Sequence, residues 1–95
     1  MTPYLVTIDI GMPVPESPEL MESIESYAQH IELAESTYVI TSDESAAEVY
    51  TTLRRHLESK DRIYVFELGE HFAGRGPTMT IDWLNEHIQT VHHQV

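Results

Sequence analysis

One residue of the opening stretch invites chemistry. In YLVTIDIG, residues 4–11, an apolar and β-branched run is interrupted by Asp9. A carboxylate in such a strand is costly, since even a neutral polar group left unpaired in an apolar setting costs roughly 2 to 7 kcal/mol. Four answers are open: a cation of the same chain, a backbone donor, a bound metal, or a strand end that opens to water. A metal there would be hard, Mg2+ or Mn2+, which takes oxygen ligands and commonly one or two carboxylates with waters. Such an ion activates water and stabilises a leaving oxygen.

Other residue groups carry weaker signals. In GEHFAGRGP, residues 69–77, Arg75 between Gly74 and Gly76 offers a guanidinium fork on a backbone that an anion can approach, although a plain turn before a helix explains the same residues. The cluster Arg54, Arg55, His56 falls near a predicted helix C-terminus, where cations favour the dipole and no ligand is needed. His92 and His93 present metal-binding nitrogens on what is expected to be a frayed tail. Trp83 suits packing or a dimer contact.

Composition bounds what these residues can do. Ninety-five residues, 41% hydrophobic and 22% charged, suit a single domain that spans the whole chain and folds unaided. With no cysteine, disulfides and thiolate metal sites are excluded. The chain shows no basic region leading into an apolar run and no stretch near the roughly 18 apolar residues of a membrane span, so it is expected to be cytoplasmic and free of the membrane. Its net charge of −11 is unevenly spread: residues 1–53 hold ten acidic side chains and no Lys or Arg, while Arg54, Arg55, Lys60, Arg62 and Arg75 are the only cations. An acidic face repels phosphate, so nucleic acid is a disfavoured partner. Solvation, a salt-rich host and mimicry of a nucleic acid toward a basic protein all account for that face.

Periodicity places the candidates on elements. Tyr4, Val6, Ile8 and Ile10 share one face of the first strand, and Leu5, Thr7 and Asp9 the other. Ser17 before Pro18 predicts a helix over 18–29 with Leu20, Ile24, Tyr27 and Ala28 as its apolar stripe. HIELAESTYVITS reads as two strands joined by a tight turn near Ala34 and Glu35. Ser45 and Glu48 form a capping box for a helix carrying Ala46, Val49, Tyr50, Leu53 and Leu57. RIYVFEL, 62–68, is the last strand, and Thr78 or Thr80 is expected to cap a C-terminal helix with Ile81, Leu84 and Ile88.

The order is βαββαβ with an added C-terminal helix, an α+β, ferredoxin-like arrangement. Strand order 4-1-3-2 puts the first strand in the centre and Asp9 beside Ser36, Thr37 and Arg62, so that Arg62 is the candidate structural partner of Asp9. The two helices that follow the first and third strands cover one sheet face. The opposite face, with Leu5 and Thr7, is then expected to be buried between two copies of the chain.

The quoted segments IDI, EST-YVI, SAAEV and DRIYVFEL, and the Trp83-Leu84 pair, resemble the small CRISPR-associated protein that partners the spacer integrase, and more closely its SinR-like and VapD-like relatives. The resemblance covers residues 4–68. It implies a homodimer in which Asp9 meets its symmetry mate, holds Mg2+ or Mn2+ and serves phosphodiester cleavage with Ser36 nearby as a catalytic residue. The chain departs from that group in lacking basic surface and in placing a helix where the group has a last strand. The resemblance points to prokaryotic defence or mobile-element biology, with an endonuclease site weak or lost. The alternative is a non-catalytic acidic protein that occupies the groove of a nucleic-acid enzyme.

Overall fold

The computed structural model describes residues 1–88; His92 and His93 lie outside the described residues. Four strands and three helices follow one another as β1 (Thr2–Asp9), α1 (Pro18–Glu25), β2 (Gln29–Ala34), β3 (Thr37–Ser42), α2 (Ala46–Arg54), β4 (Arg62–Glu67) and α3 (Thr78–Ile88), with a 3-10 turn at Val14–Glu16 ahead of α1. The strands form one antiparallel sheet in the order β2-β3-β1-β4. This is an α+β domain compatible with a ferredoxin-like fold.

Alternation in β1 decides which side chains are buried. Tyr4, Val6 and Ile8 meet Tyr38 and Ile40 of β3 on one face, where Leu20 and Ile24 of α1 and Val49 and Leu53 of α2 close the main core. The buried Tyr4 hydroxyl donates to the Glu44 carbonyl at 2.6 Å and so ties the central strand to the loop before α2. That loop leads into the capping box read from the sequence: Ser45 Oγ accepts from the Glu48 N–H and Glu48 Oε1 from the Ser45 N–H, at 3.2 and 2.8 Å. Such a cap contributes about 1 kcal/mol.

Three boundaries differ from the sequence reading. α1 stops at Glu25, short of Tyr27 and Ala28, because the Ser26 hydroxyl takes the Ser23 carbonyl at 2.6 Å while the Ser26 and Tyr27 N–H groups fold back three residues. A hydroxyl that competes for backbone in this way favours helix ends. Ser17 makes no side-chain cap, leaving Pro18 alone as the start signal. α3 begins at Thr78, and its first-turn bond runs from the Ile81 N–H to the Pro77 carbonyl; Thr78 and Thr80 are helical residues.

The larger difference concerns the opposite sheet face. Leu84 and Ile88 of α3 pack on Val39 there, joined by half-buried Leu5, Ile31, Leu68, Phe72 and Trp83. Leu5, expected at a dimer face, is therefore taken into a second core of its own chain. Trp83 also packs internally: its ring lies 4.1 Å from the His87 ring, and its carbonyl accepts from His87 Nδ1 at 2.8 Å. Thr7 is half-buried between Thr37 and Tyr64.

Candidate functional site

The end of β1 is where the candidate residues meet. The registers pair Thr7 with Thr37 and Asp9 with Arg62, so the C-terminal end of β1 lies beside the Glu35–Ser36 turn. Ile8 N–H donates to the Ser36 carbonyl at 3.0 Å, and Ser36 sits at φ 62°, a left-handed conformation that short polar residues tolerate in tight turns. Its Oγ accepts from the Val14 N–H at 3.2 Å, which anchors the segment leading to α1. Ser36 thus has a structural task whatever else it does.

Asp9 is answered by the strand's opening to water. Its side chain is exposed, and Oδ1 accepts one long bond, 3.4 Å, from the Gly11 N–H. Gly11 has φ 77°, and the turn that delivers this N–H needs that conformation, which costs a residue with a side chain more than glycine. The ion pair with Arg62 is not formed: the two residues are opposite in register, yet neither joins an ion pair among the described residues, while nearby Lys60 pairs with Glu58 at 3.7 Å. Both Asp9 and Arg62 are exposed, and an exposed pair gains too little to hold two side chains in one geometry. Asp9→Asn is therefore expected to shift stability by no more than about 0.5 kcal/mol in urea unfolding. A loss of several kcal/mol would restore a buried partner.

A shallow cleft of about 320 Å3 spans this end of the sheet, lined by Asp9, Gly11, Met12, Pro13, Glu35 and Ser36 among others. It adds Glu35, which sequence reasoning took only as a turn residue. The signal was present, since a register that sets Ser36 beside Asp9 carries the neighbouring carboxylate with it. Two carboxylates on one cleft match the one or two that a magnesium ion commonly takes, with water completing its shell. No group of three or more His, Cys, Asp or Glu side chains able to hold a metal occurs among the described residues.

Arg75 stands elsewhere. With Gly74 and Gly76 it borders a mainly apolar cleft of about 330 Å3 between the sheet and α3, lined by Leu5, Val39 and Leu84. A Cβ added at Gly74 or Gly76 would meet nothing within 4 Å, and neither has positive φ. The fold of this loop thus does not itself require glycine at either position, in keeping with a plain turn before the helix. At the end of α2, Arg54 lies 5.7 Å from the Tyr50 ring, a contact that adds to its favourable place at the helix C-terminus.

The electrostatics of the first half are uniform. Asp9, Glu16, Glu19, Glu22, Glu25, Glu32, Glu35, Asp43, Glu44 and Glu48 are all exposed. None of the ten takes part in an ion pair among the described residues. No helix among those residues is long and apolar enough to cross a membrane. Compared with protein-family models, with curated proteins and with solved structures, the chain matches none of them.

Proposed function

We propose that the chain is a small acidic interaction protein, ferredoxin-like with an added C-terminal helix and akin to the SinR-like relatives of the CRISPR-associated protein, that offers its first half to a basic protein partner. The carrying observation is the set of ten exposed carboxylates without an ion pair among the described residues. Like charges on one small molecule repel each other, and a basic groove relieves that repulsion while steering the encounter. A groove built for phosphates is the surface such charge fits, so the partner class is a nucleic-acid enzyme and the setting prokaryotic defence or mobile elements.

The test titrates the chain against a purified basic nuclease and against an equally basic protein that has no nucleic-acid groove. Binding to the nuclease at 0.15 M salt, weakening steeply as salt rises, is expected. Replacing Glu16, Glu19, Glu22 and Glu25 by Gln should weaken it at least about tenfold, which is about 1.4 kcal/mol, while each surface change alters stability by only about 0.5 kcal/mol. Equal binding to both proteins, or binding indifferent to the four substitutions, would refute the proposal.

A second reading rests on a separate observation, the presence of Asp9, Glu35 and Ser36 on one cleft. In it the chain is a divalent-metal-dependent endonuclease in which Asp9 and Glu35 hold Mg2+ or Mn2+, and a homodimer supplies the same groups twice. Cleavage of RNA or DNA that needs metal and disappears in both Asp9→Asn and Glu35→Gln would favour it over the first.

A further inference from the structure

The two edges of the sheet are built differently. β2, at one edge, carries an irregularity between Glu32 and Ala34, and α3 packs beside it through the cluster that contains Ile31. A bulge and nearby charge are usual ways to blunt an edge. β4, at the other edge, is regular, has no proline and no lysine, and pairs with β1 residue for residue from Arg62 to Glu67. On the sheet face it shares with Leu5 and Thr7 it shows Tyr64 and Phe66, 56% and 53% exposed, with rings 6.5 Å apart and nearly parallel. Among the described residues no strand pairs with the outer edge of β4, and a row of unpaired N–H and C=O groups forms a template for another strand.

The hydrogen bonds fix which groups that template offers. Leu68 N–H donates to the Pro3 carbonyl at 2.9 Å, so the even residues of β4 point their backbone groups at β1. Ile63, Val65 and Glu67 therefore point theirs outward. In an antiparallel pair, residues alternate between those that exchange both bonds and those that exchange none. These three positions match themselves: Val65 opposite its own copy, Ile63 opposite Glu67 and Glu67 opposite Ile63.

We infer that β4 pairs antiparallel with β4 of a second copy about a twofold axis at Val65, joining two sheets into one. About six backbone hydrogen bonds then form. On the face shared with Leu5 and Thr7, Tyr64 of each copy lies opposite Phe66 of the other, an aromatic cross-strand pair of the kind that stabilises sheets. Charge favours the arrangement as well. Arg62 opens the strand and Glu67 closes it, so antiparallel pairing brings the basic end of one copy to the acidic end of the other. Residues 54–66 hold four cations against Glu58 and Asp61, so the segment that leads into and forms most of β4 is not acidic like the rest of the chain. The surface is self-complementary, as a twofold interface must be. The contact is made at the strand edge, and on the sheet face that Tyr64 and Phe66 share with Leu5 and Thr7, α3 already packs on Leu5.

The absence of native cysteine makes the register testable. Tyr64→Cys and Phe66→Cys proteins, mixed in equal amounts and oxidised mildly, should give mainly the mixed disulfide, because residue 64 faces residue 66 and non-hydrogen-bonded pairs lie about 4.5 Å apart between Cα atoms. Leu33→Cys, on the opposite edge, should stay uncrosslinked. Unmodified protein should sediment at twice 10.9 kDa in a concentration-dependent manner. Glu67→Pro removes an outward N–H without touching the β1 ladder, and should weaken dimerisation at least tenfold while the far-ultraviolet spectrum is unchanged. Monomer mass at about 0.5 mM, roughly five-hundredfold above a micromolar dissociation constant, would overturn the inference. So would a random ratio of the three disulfides in the mixture.

Discussion

Leu84→Ala should lower stability by about 2 to 3 kcal/mol, the lower part of the range for a large-to-small change at a buried leucine. Leu84 is 8% exposed and sits with Ile88 on Val39. The second core is small and borders the open cleft near Arg75, so neighbours can relax into part of the space left behind. The loss should be the same at two protein concentrations tenfold apart, because the contact lies within one chain. A dimer through the β4 edge raises the urea midpoints of parent and variant alike with concentration, whereas a second copy covering this sheet face would make the loss itself depend on concentration. Leu84→Ala therefore separates an internal role for α3 from a face-to-face dimer. A midpoint that depends on concentration in the parent and loses that dependence in the variant would transfer the Leu5 surface to an interface.

The residues that made most of the fold legible are those whose signal is local. Alternation in β1 assigned Tyr4, Val6 and Ile8 to one face, and the spacing of Ser45 and Glu48 specified a cap whose two hydrogen bonds are both present. Helix ends were harder, as at Ser26, where a side-chain hydroxyl competes with the ladder and no periodicity reports it. The placement of α3 was not legible at all. Ile81, Leu84 and Ile88 announce an apolar stripe, yet a stripe does not say which sheet face it will meet. That choice depends on the loop from Gly69 to Pro77, which carries the chain from the β4 edge across the second face. The site was legible in its position and not in its partners. Antiparallel register placed Asp9 near Ser36 and opposite Arg62, whereas the absence of an ion pair follows from exposure, which a sequence cannot display. Edge quality belongs to the same class: Tyr64 and Phe66 alternate like any strand, and their exposure follows only from β4 being last in the sheet and beyond the reach of α3.

Stability should fall by roughly 2 to 3 kcal/mol between pH 10 and pH 12 on account of Tyr38, by the usual conversion of a pKa difference into free energy. Burial raises its hydroxyl from 10.0 to about 12, and the Glu32 carboxylate beside it adds to the rise. Tyr38 is 1% exposed on β3, with α1 and β2 neighbours; its oxygen lies 3.5 Å from Glu32 Oε2 and 3.6 Å from the Met21 sulfur. A hydroxyl that holds its proton more tightly when folded contributes fully below pH 10, where both states are protonated. The contribution is lost as pH rises through 10, where the unfolded chain ionises, toward 12, where the folded one does. Tyr38→Phe tests the assignment, since it removes only two long contacts and should cost no more than about 1 kcal/mol at pH 7. Urea midpoints at pH 8, 10 and 11.5 should then decline less steeply in the variant than in the parent. Equal declines would move the effect to Tyr4 and Tyr27, whose hydroxyls burial also raises, with Glu67 adding to the first and Glu44 to the second. In that case the alkaline weakness would lie where β1 and the segment after α1 meet the loop before α2, with burial of the two hydroxyls as its main cause and Glu67 and Glu44 adding to it.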